Sequence, residues 1–361
     1  MINAVLIREG IGRGRLKNIG DFTQSIAQRQ YWKQVDRLIE IEELSDVDSS
    51  EPVNVIMNGW FMWHPEKFPP SESVNPLFVS FHITPQIEKA FFTDKTIQYL
   101  KKHEPIGARD TKTQQMLEAH GIRSYFSGCL TLTLGKTYMN NNRDGKVYIV
   151  DPIVCFSYKN SKIETLLSII KAGFWFLTHL KKVRKLSSKY LCCNKTFLSK
   201  ISRKIDGLME VSLFHKQYSK CFAEDILFNA EYISQIVDNK ASIDEKFKMA
   251  DERLRKYSKA CLVITRRIHA ALPCLSMKTP VILTISDDII SNVPKKAADG
   301  GRFGGLLELF NYKRFCPGVI ESKGCDDFIT FNNIPQNPDG YLYYQELLDK
   351  KVMEFVKSVE K

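Results

Sequence analysis

The sequence predicts an α/β protein with two domains facing each other across a cleft. Short apolar runs alternate with helix-like stretches from the start of the chain, as in a parallel sheet covered by helices. The same alternation resumes after Lys146, beyond a polar, turn-rich stretch. A length of 361 residues suffices for two domains of ordinary size. An N-terminal α/β domain is placed at 1–145 and a C-terminal α/β domain at 146–361, the latter carrying a basic helical insert at about 160–240.

In chain order, Ala4-Val5-Leu6-Ile7 reads as the first strand and is followed by a basic, Gly-rich loop from Arg8 to Gly20. Asp21 begins a helix whose apolar face is Phe22, Ile26 and Ala27. Val53-Asn54-Val55-Ile56-Met57 is a strand ending at Asn58-Gly59, and Leu77-Phe78-Val79-Ser80-Phe81 is another. Pro105-Ile106-Gly107-Ala108 reads as a short buried strand, with a helix from Thr111 to His120 closed by Gly121. In the second half, Val147-Tyr148-Ile149-Val150 is a strand before Asp151-Pro152, and a mostly helical region runs to about 240. Ser242 and Glu245 form a capping box, and Ile243, Phe247, Ala250, Leu254 and Tyr257 fall on one helical face. Strands follow at Cys261-Leu262-Val263-Ile264 and Val281-Ile282-Leu283, with a helix from Ile268 to Met277 between them, an apolar helix start at Leu306 and a last helix from Gln345 to Val359.

The net charge of +11 favours polyanionic partners, whether nucleic acid, phosphorylated substrates or an anionic membrane. Nine cysteines, an odd number with no Cys-x-x-Cys and no zinc spacing, read as reduced thiols in the cytoplasm and predict no metal site. No secretory signal opens the chain, and no apolar run reaches the roughly 18 residues of a spanning helix.

Several segments carry a family pattern in a fixed order. They are Asn18-Ile19-Gly20-Asp21, Met57-Asn58-Gly59-Trp60-Phe61, Pro105-Ile106-Gly107-Ala108-Arg109-Asp110, Phe126-Ser127-Gly128-Cys129-Leu130-Thr131-Leu132, and Thr265-Arg266-Arg267-Ile268-His269-Ala270-Ala271-Leu272-Pro273 with Thr279-Pro280-Val281-Ile282. The ordered set resembles the polysaccharide pyruvyl transferase family, although Arg266 stands where a small residue is usual and the basic insert departs from the pattern. The resemblance implies two Rossmann-like domains similar to the GT-B glycosyltransferases, phosphoenolpyruvate as donor, no cofactor, and a cyclic pyruvate ketal formed on a hexose of a surface or capsular glycan. It assigns Arg267 and His269 to the family's Arg-x-His, Arg109 to its Gly-Ala-Arg-Asp arginine, and Asn18, Gly20 and Asp21 to its Asn-x-Gly-Asp loop.

The residue chemistry suits that reading. Phosphoenolpyruvate carries a carboxylate and a phosphate, which arginine's planar fork binds in pairs. Ketal formation moves protons in both directions, work a histidine does near neutral pH. Arg267 and His269 fall between a strand's end and a helix start, where anions bind; a surface arginine and a structural histidine are the plainer alternative. Arg109 is a donor or substrate contact, or else a salt-bridge partner of Asp110 or a helix-start residue. The loop holding Gly10, Gly12, Gly14 and Gly20 with Arg8, Arg13, Arg15 and Lys17 is an anion clamp or a solvated loop. Asn58 and Trp60 offer a sugar platform, or Trp60 and Trp63 are core or interface residues. Asp299 to Gly305 is a tight turn or an anion-lining loop carrying Arg302.

Residues 171–204 hold ten Lys or Arg and no Asp or Glu, interleaved with Phe174, Trp175, Phe176, Leu177, Leu180, Tyr190 and Phe197. With the apolar run before it, the stretch 163–204 reads as an amphipathic surface on an anionic membrane at the cytoplasmic side, suited to an acceptor on polyprenyl diphosphate. A basic helical face packed on the protein is the alternative. No nucleic-acid motif accompanies the charge. A nucleotide-sugar glycosyltransferase and a non-catalytic assembly adaptor are the competing functions.

Overall fold

The chain is seen in a computed structural model that describes residues 2–9, 16–48, 50, 52–61, 63–155, 170–171, 173–193, 202–238, 240–286, 303–316 and 319–360. From the N-terminus run β1 (Ile2–Ile7), β2 (Leu16–Asn18), α1 (Gly20–Arg29), β3 (Arg37–Glu40), β4 (Val53–Ile56), β5 (Gly59–Trp60), β6 (Val74–Leu77), β7 (Phe81–His82), α2 (Glu88–Phe91), α3 (Asp94–Lys102), β8 (Ile106–Ala108), α4 (Thr111–Ala119), β9 (Ser124–Phe126) and α5 (Gly135–Tyr138). Then come β10 (Val147–Val150), α6 (Leu180–Cys193), α7 (Ser202–Tyr218), α8 (Glu224–Asn229), β11 (Glu231–Ile233), β12 (Ile236–Asp238), α9 (Ile243–Lys259), β13 (Leu262–Thr265), α10 (Ile268–Ser276), β14 (Val281–Ser286), β15 (Asn311–Cys316), β16 (Val319–Lys323) and α11 (Tyr341–Val359).

This is an α/β protein with several parallel sheets. One has the order β3-β1-β4-β6, and a second, β5-β7-β8-β9, continues β4 and β6 after short breaks in the chain. The third has the order β11-β10-β13-β14-β15-β16 and is parallel except for the β15/β16 pair. The apolar run of β4 is buried at all four positions, as expected of a strand covered on both faces. The antiparallel pair β2/β12 sets Asn18 opposite Ile236 and ties the first half of the chain to the second.

A single apolar cluster also joins the halves. It holds Val5, Phe22 and Ile56 with Val150, Phe247 and Val263. At its centre Phe22 of α1 meets Phe247 of α9 edge-to-face, with ring centroids 5.1 Å apart at 90°. The helix α9 forms as its sequence requires: Ser242 and Glu245 close the capping box, and Phe247, Ala250, Leu254 and Tyr257 are its buried face, with Ile243 half-buried.

Some expectations are corrected. Leu77 to Phe81 is not one strand: the chain leaves β6 after Leu77 and turns at Ser80, whose φ is 57°, before β7. The helical region does not continue to about 240, because β11 and β12 intervene. Leu306 opens a short 3-10 turn rather than a helix, and β15 and β16 follow it. All seven described cysteines whose side chains are placed are free thiols.

Phe22→Ala and Phe247→Ala should each cost about 3–5 kcal/mol of stability. The double variant should fall short of additivity by about 0.5–1.5 kcal/mol, the worth of an edge-to-face pair beyond its area. Urea unfolding of the four proteins in the cycle measures both.

Candidate functional site

The sequence-predicted residues gather where parallel strands end. Arg8 follows β1, Asn58 follows β4, Arg109 follows β8, and Arg267 and His269 follow β13; Asp151, not singled out from the sequence, follows β10 among them. The carboxyl ends of open α/β sheets are the usual ligand side, because loops there are free to vary while the strands hold them rigidly.

The Asn18 loop and the histidine are in direct contact. Pairing of β2 with β12 fixes the loop, and the Ile19 amide donates to the Gln235 carbonyl at 2.7 Å. Asn18 Oδ1 accepts from the Gly20 amide at 3.0 Å at the start of α1. Gly20 then lies against His269: a Cβ at position 20 would stand 3.0 Å from His269 Cβ and 3.2 Å from its Nδ1. The histidine occupies the first turn of α10, a helix buried along its whole length, and is itself 9% exposed. Only glycine allows this approach without moving the ring.

Arg267 is held by Asp151. Its Nε donates to Asp151 Oδ2 at 2.6 Å, while its terminal nitrogens make no hydrogen bond among the described residues. Asp151 is buried and has φ 44°. Its carboxylate also accepts from Ser234 Oγ at 2.8 Å and from the Gln235 amide at 3.0 Å. A buried carboxylate needs such partners, and these leave the outer part of the guanidinium open to a ligand.

Asp21 is the electrostatic hub. Burial pushes its carboxyl above the ordinary value, opposed by Arg8, Lys17 and Arg267 and reinforced by Glu40. Burial likewise lowers the Lys17 amine, against Asp21, Glu40 and Glu9. Arg109, 5% exposed, is also lowered by burial, against Asp110, Cys129 and Asp21. Its Nε lies 3.6 Å from Asp110 Oδ2 and makes no hydrogen bond. An arginine stays cationic through such a shift, so Arg109 is a buried cation only partly offset by its neighbour. Asp110 also caps α4 through Thr113, and its Oδ2 lies 2.5 Å from His82 Nδ1. Burial alone would raise the Asp110 carboxyl, but His82 and Arg109 outweigh it and hold it low. Beside this group lies a small, half-open hollow lined by Arg8, Asp21, Gln24, Asn58 and Trp60 among others.

The polysaccharide pyruvyl transferase family model matches residues 18–288, three quarters of the chain. The chain belongs to this family. No curated protein and no solved structure matches it. The matched span of this pyruvyl transferase includes Asn18, Gly20, Asp21, Arg109, Asp151, Arg267 and His269, while Arg8 and Lys17 precede it.

Asn18, Gly20, Asp21, Arg267 and His269 thus come together through contact and field, Arg109 shares the field of Asp21, and Asn58 and Trp60 line the concavity with Asp21. The Asp110 pairing raised as the alternative for Arg109 is present as well. Arg302 lies outside the described residues, as do residues 10–15 of the Gly-rich loop. Trp63 is half exposed and Trp60 partly exposed, so neither is a core residue. Residues 299–302 of the second Gly-rich stretch lie outside the described residues; of the rest, Gly304 accepts from the Thr111 amide at 3.1 Å and Gly305 packs on Thr111 and Phe126. His82 and Asp151 were missed, and each follows or ends an apolar strand run, a position that in itself was the available signal. Among the described residues no group of three or more His, Cys, Asp or Glu is placed to hold a metal ion.

Gly20→Ala should fold normally yet displace the His269 ring. A misplacement of about 1 Å at a reacting group costs on the order of 10²-fold in rate. Comparing turnover with the melting temperature of the same variant checks this.

Proposed function

We propose that this transferase moves the pyruvyl group of phosphoenolpyruvate onto two hydroxyls of one hexose in a surface-polysaccharide precursor. The observation that carries the reading is the seating of Gly20 on His269 beside an Arg267 whose outer nitrogens are open. The two halves would act as Rossmann-like units of a GT-B-like arrangement, divided near 145/146, with donor and acceptor meeting between them.

In the reaction, a sugar hydroxyl oxygen bonds to C2 of the donor while its C3 methylene gains a proton. The C2–O bond to phosphate then breaks, and a second hydroxyl of the same sugar bonds to C2. Two hydroxyl protons are lost: one balances the proton gained by the methyl group, and the other leaves with phosphate. Arg267 and Arg109 would bind the donor's two anionic groups, and His269 would carry the proton between hydroxyl and methylene. Asn18 and Gly20 would hold the histidine's loop, with Asp21 tuning the field around the cations. His269→Ala should slow transfer by about 10²–10⁴-fold without unfolding the chain. Arg267→Ala and Arg109→Ala should each weaken donor binding by about 1.5–3 kcal/mol while sparing acceptor binding. Calorimetry with phosphoenolpyruvate and mass spectrometry of the glycan product test these roles; unchanged donor affinity in both arginine variants would move the donor site elsewhere.

The acceptor is proposed to ride on polyprenyl diphosphate, with the enzyme peripheral at the cytoplasmic face of the membrane. No described helix is long and apolar enough to cross a membrane. The basic stretch divides into two parts. Val183, Leu186 and Tyr190 of α6 are buried in a core cluster, so Tyr190 is not available to a bilayer. Lys182 pairs with Glu224, and Lys185 lies over the Phe228 ring at 4.8 Å. Ile170, Phe174 and Leu177 are instead 56%, 69% and 71% exposed, on one helical face beside exposed Lys171, Lys181 and Arg184. Shallow burial of that face, with roughly 1 kcal/mol per basic residue near an anionic surface, would hold the enzyme there. Replacing Phe174 and Leu177 by Ser, with Lys181 and Arg184 by Gln, should abolish co-sedimentation with anionic vesicles at low salt. Equal co-sedimentation of variant and parent sinks the membrane reading.

A further inference from the structure

Arg266 stands at the carboxyl end of β13 with no partner for its charge. Its side chain makes no hydrogen bond, ion pair or cation–π contact among the described residues. The Nε is enclosed and unpaired, whereas Nη1 and Nη2 are unpaired but not enclosed, on a residue that is itself only partly exposed. An arginine keeps its charge even where burial opposes it. A cation drawn from water without a counter-ion is costly, so native folds seldom retain one that meets nothing.

The alternation along β13 places the side chain. Leu262 and Ile264 belong to the core cluster that includes α6 and α7 residues, and Val263 to the cluster on the opposite face. Arg266 continues the Leu262 and Ile264 side. Tyr190 of α6 and Tyr218 of α7, members of the same cluster, act on its charge. Burial raises both phenols well above their ordinary value, so neither ionises near neutral pH to supply a counter-charge.

The carboxylate that acts on Arg266 is that of Asp151. It already accepts from Arg267 Nε at 2.6 Å, Ser234 Oγ at 2.8 Å and the Gln235 amide at 3.0 Å. Burial and then the Arg267 charge lower the Arg266 guanidinium, and Asp151 opposes them. Two successive arginines thus share one occupied carboxylate, and both have open terminal nitrogens. The helix α10 opens directly after them, with no side-chain cap and no acidic residue in its first turn. Its N-terminal dipole adds positive potential at the same place.

This arrangement defines the ligand's chemistry. A neutral sugar would leave the excess charge unmet. A phosphate group offers several anionic oxygens, which guanidinium forks and a helix N-terminus bind together. We propose that Arg266 binds a phosphate group beside Arg267, as a further substrate-contacting residue of the transferase. The donor's phosphate and the diphosphate of a lipid-carried acceptor are its two sources. The choice between them rests on the function proposed above; phosphate binding itself does not.

The test is calorimetry on the whole chain with inorganic phosphate, phosphoenolpyruvate, geranyl diphosphate and pyruvate, comparing the parent with Arg266→Gln and Arg266→Lys. Arg266→Gln should weaken at least one phosphate-bearing ligand about tenfold or more, the loss of one charge-assisted contact, and leave pyruvate unchanged. Arg266→Lys keeps the charge without the fork and should recover part of that loss. Without ligand, Arg266→Gln should melt at or above the parent temperature, because an unpartnered cation does not stabilise the free fold. Loss confined to phosphoenolpyruvate and inorganic phosphate assigns the donor's phosphate; loss confined to geranyl diphosphate assigns the carrier's. No phosphate binding by the parent, unchanged affinity for all three phosphate ligands in Arg266→Gln, or an equal weakening of pyruvate would each overturn the site. A lowered melting temperature would make Arg266 a structural cation and overturn it too. Phosphate binding that responds to Arg266, without ketal formation when phosphoenolpyruvate and a glycan acceptor are supplied, upholds the site and overturns the pyruvyl reading.

Discussion

The buried carboxylate of Asp151 organises the contacts between the two halves at the site. It fixes Arg267 through one oxygen and, through both, the Ser234-Gln235 turn. The Gln235 carbonyl in turn receives the Ile19 amide, and the next residue, Gly20, rests on His269, two positions beyond Arg267. The path therefore closes on itself, running from β13 through β10 and β12 to the start of α1 and back to α10. A carboxylate removed from water persists only when its partners replace that water, so the geometry of all four elements is coupled to its pairing.

The apolar cluster beneath supports this ring. Phe22 packs on Phe247 on one side of α1, while Ser25 and Gln28 on another side bond to the backbone of Leu6 and Asn58. A helix buried on several sides normally carries apolar residues throughout, and α1 instead buries Thr23, Gln24, Ser25 and Gln28. Those polar groups bridge the strands that end at the site. Lys246, fully buried on α9, pairs with Glu9 just beyond β1 and adds a charged link across the same seam.

Much of the fold was legible in the sequence because its signals are local. The capping box at Ser242 and Glu245, the helical face from Phe247 to Tyr257 and the closing Gly121 all depend on a few neighbouring residues. The strands β15 and β16 escaped because Lys313 and Arg314 interrupt the apolar pattern, yet Lys313 is buried and its Nζ donates to Ser322 Oγ at 2.9 Å across the pair. The ordered motifs identified the arginines, the histidine and the Asn18 loop, but not what holds them. Asp151 and His82 act through partners 116 and 28 residues away in the chain, Arg267 and Asp110 respectively.

The cysteines give the folded chain a chemical property of its own. Burial raises the thiols of Cys129, Cys261, Cys274 and Cys325, and carries Cys221 up to about 11. Alkylating reagents attack the thiolate, a form that burial suppresses in the folded protein and that exposure restores on unfolding. Cys129 is buried within the field of Arg109 and Cys274 lies in the helix that carries His269, so their capture by a maleimide would time the opening of the protein around these residues.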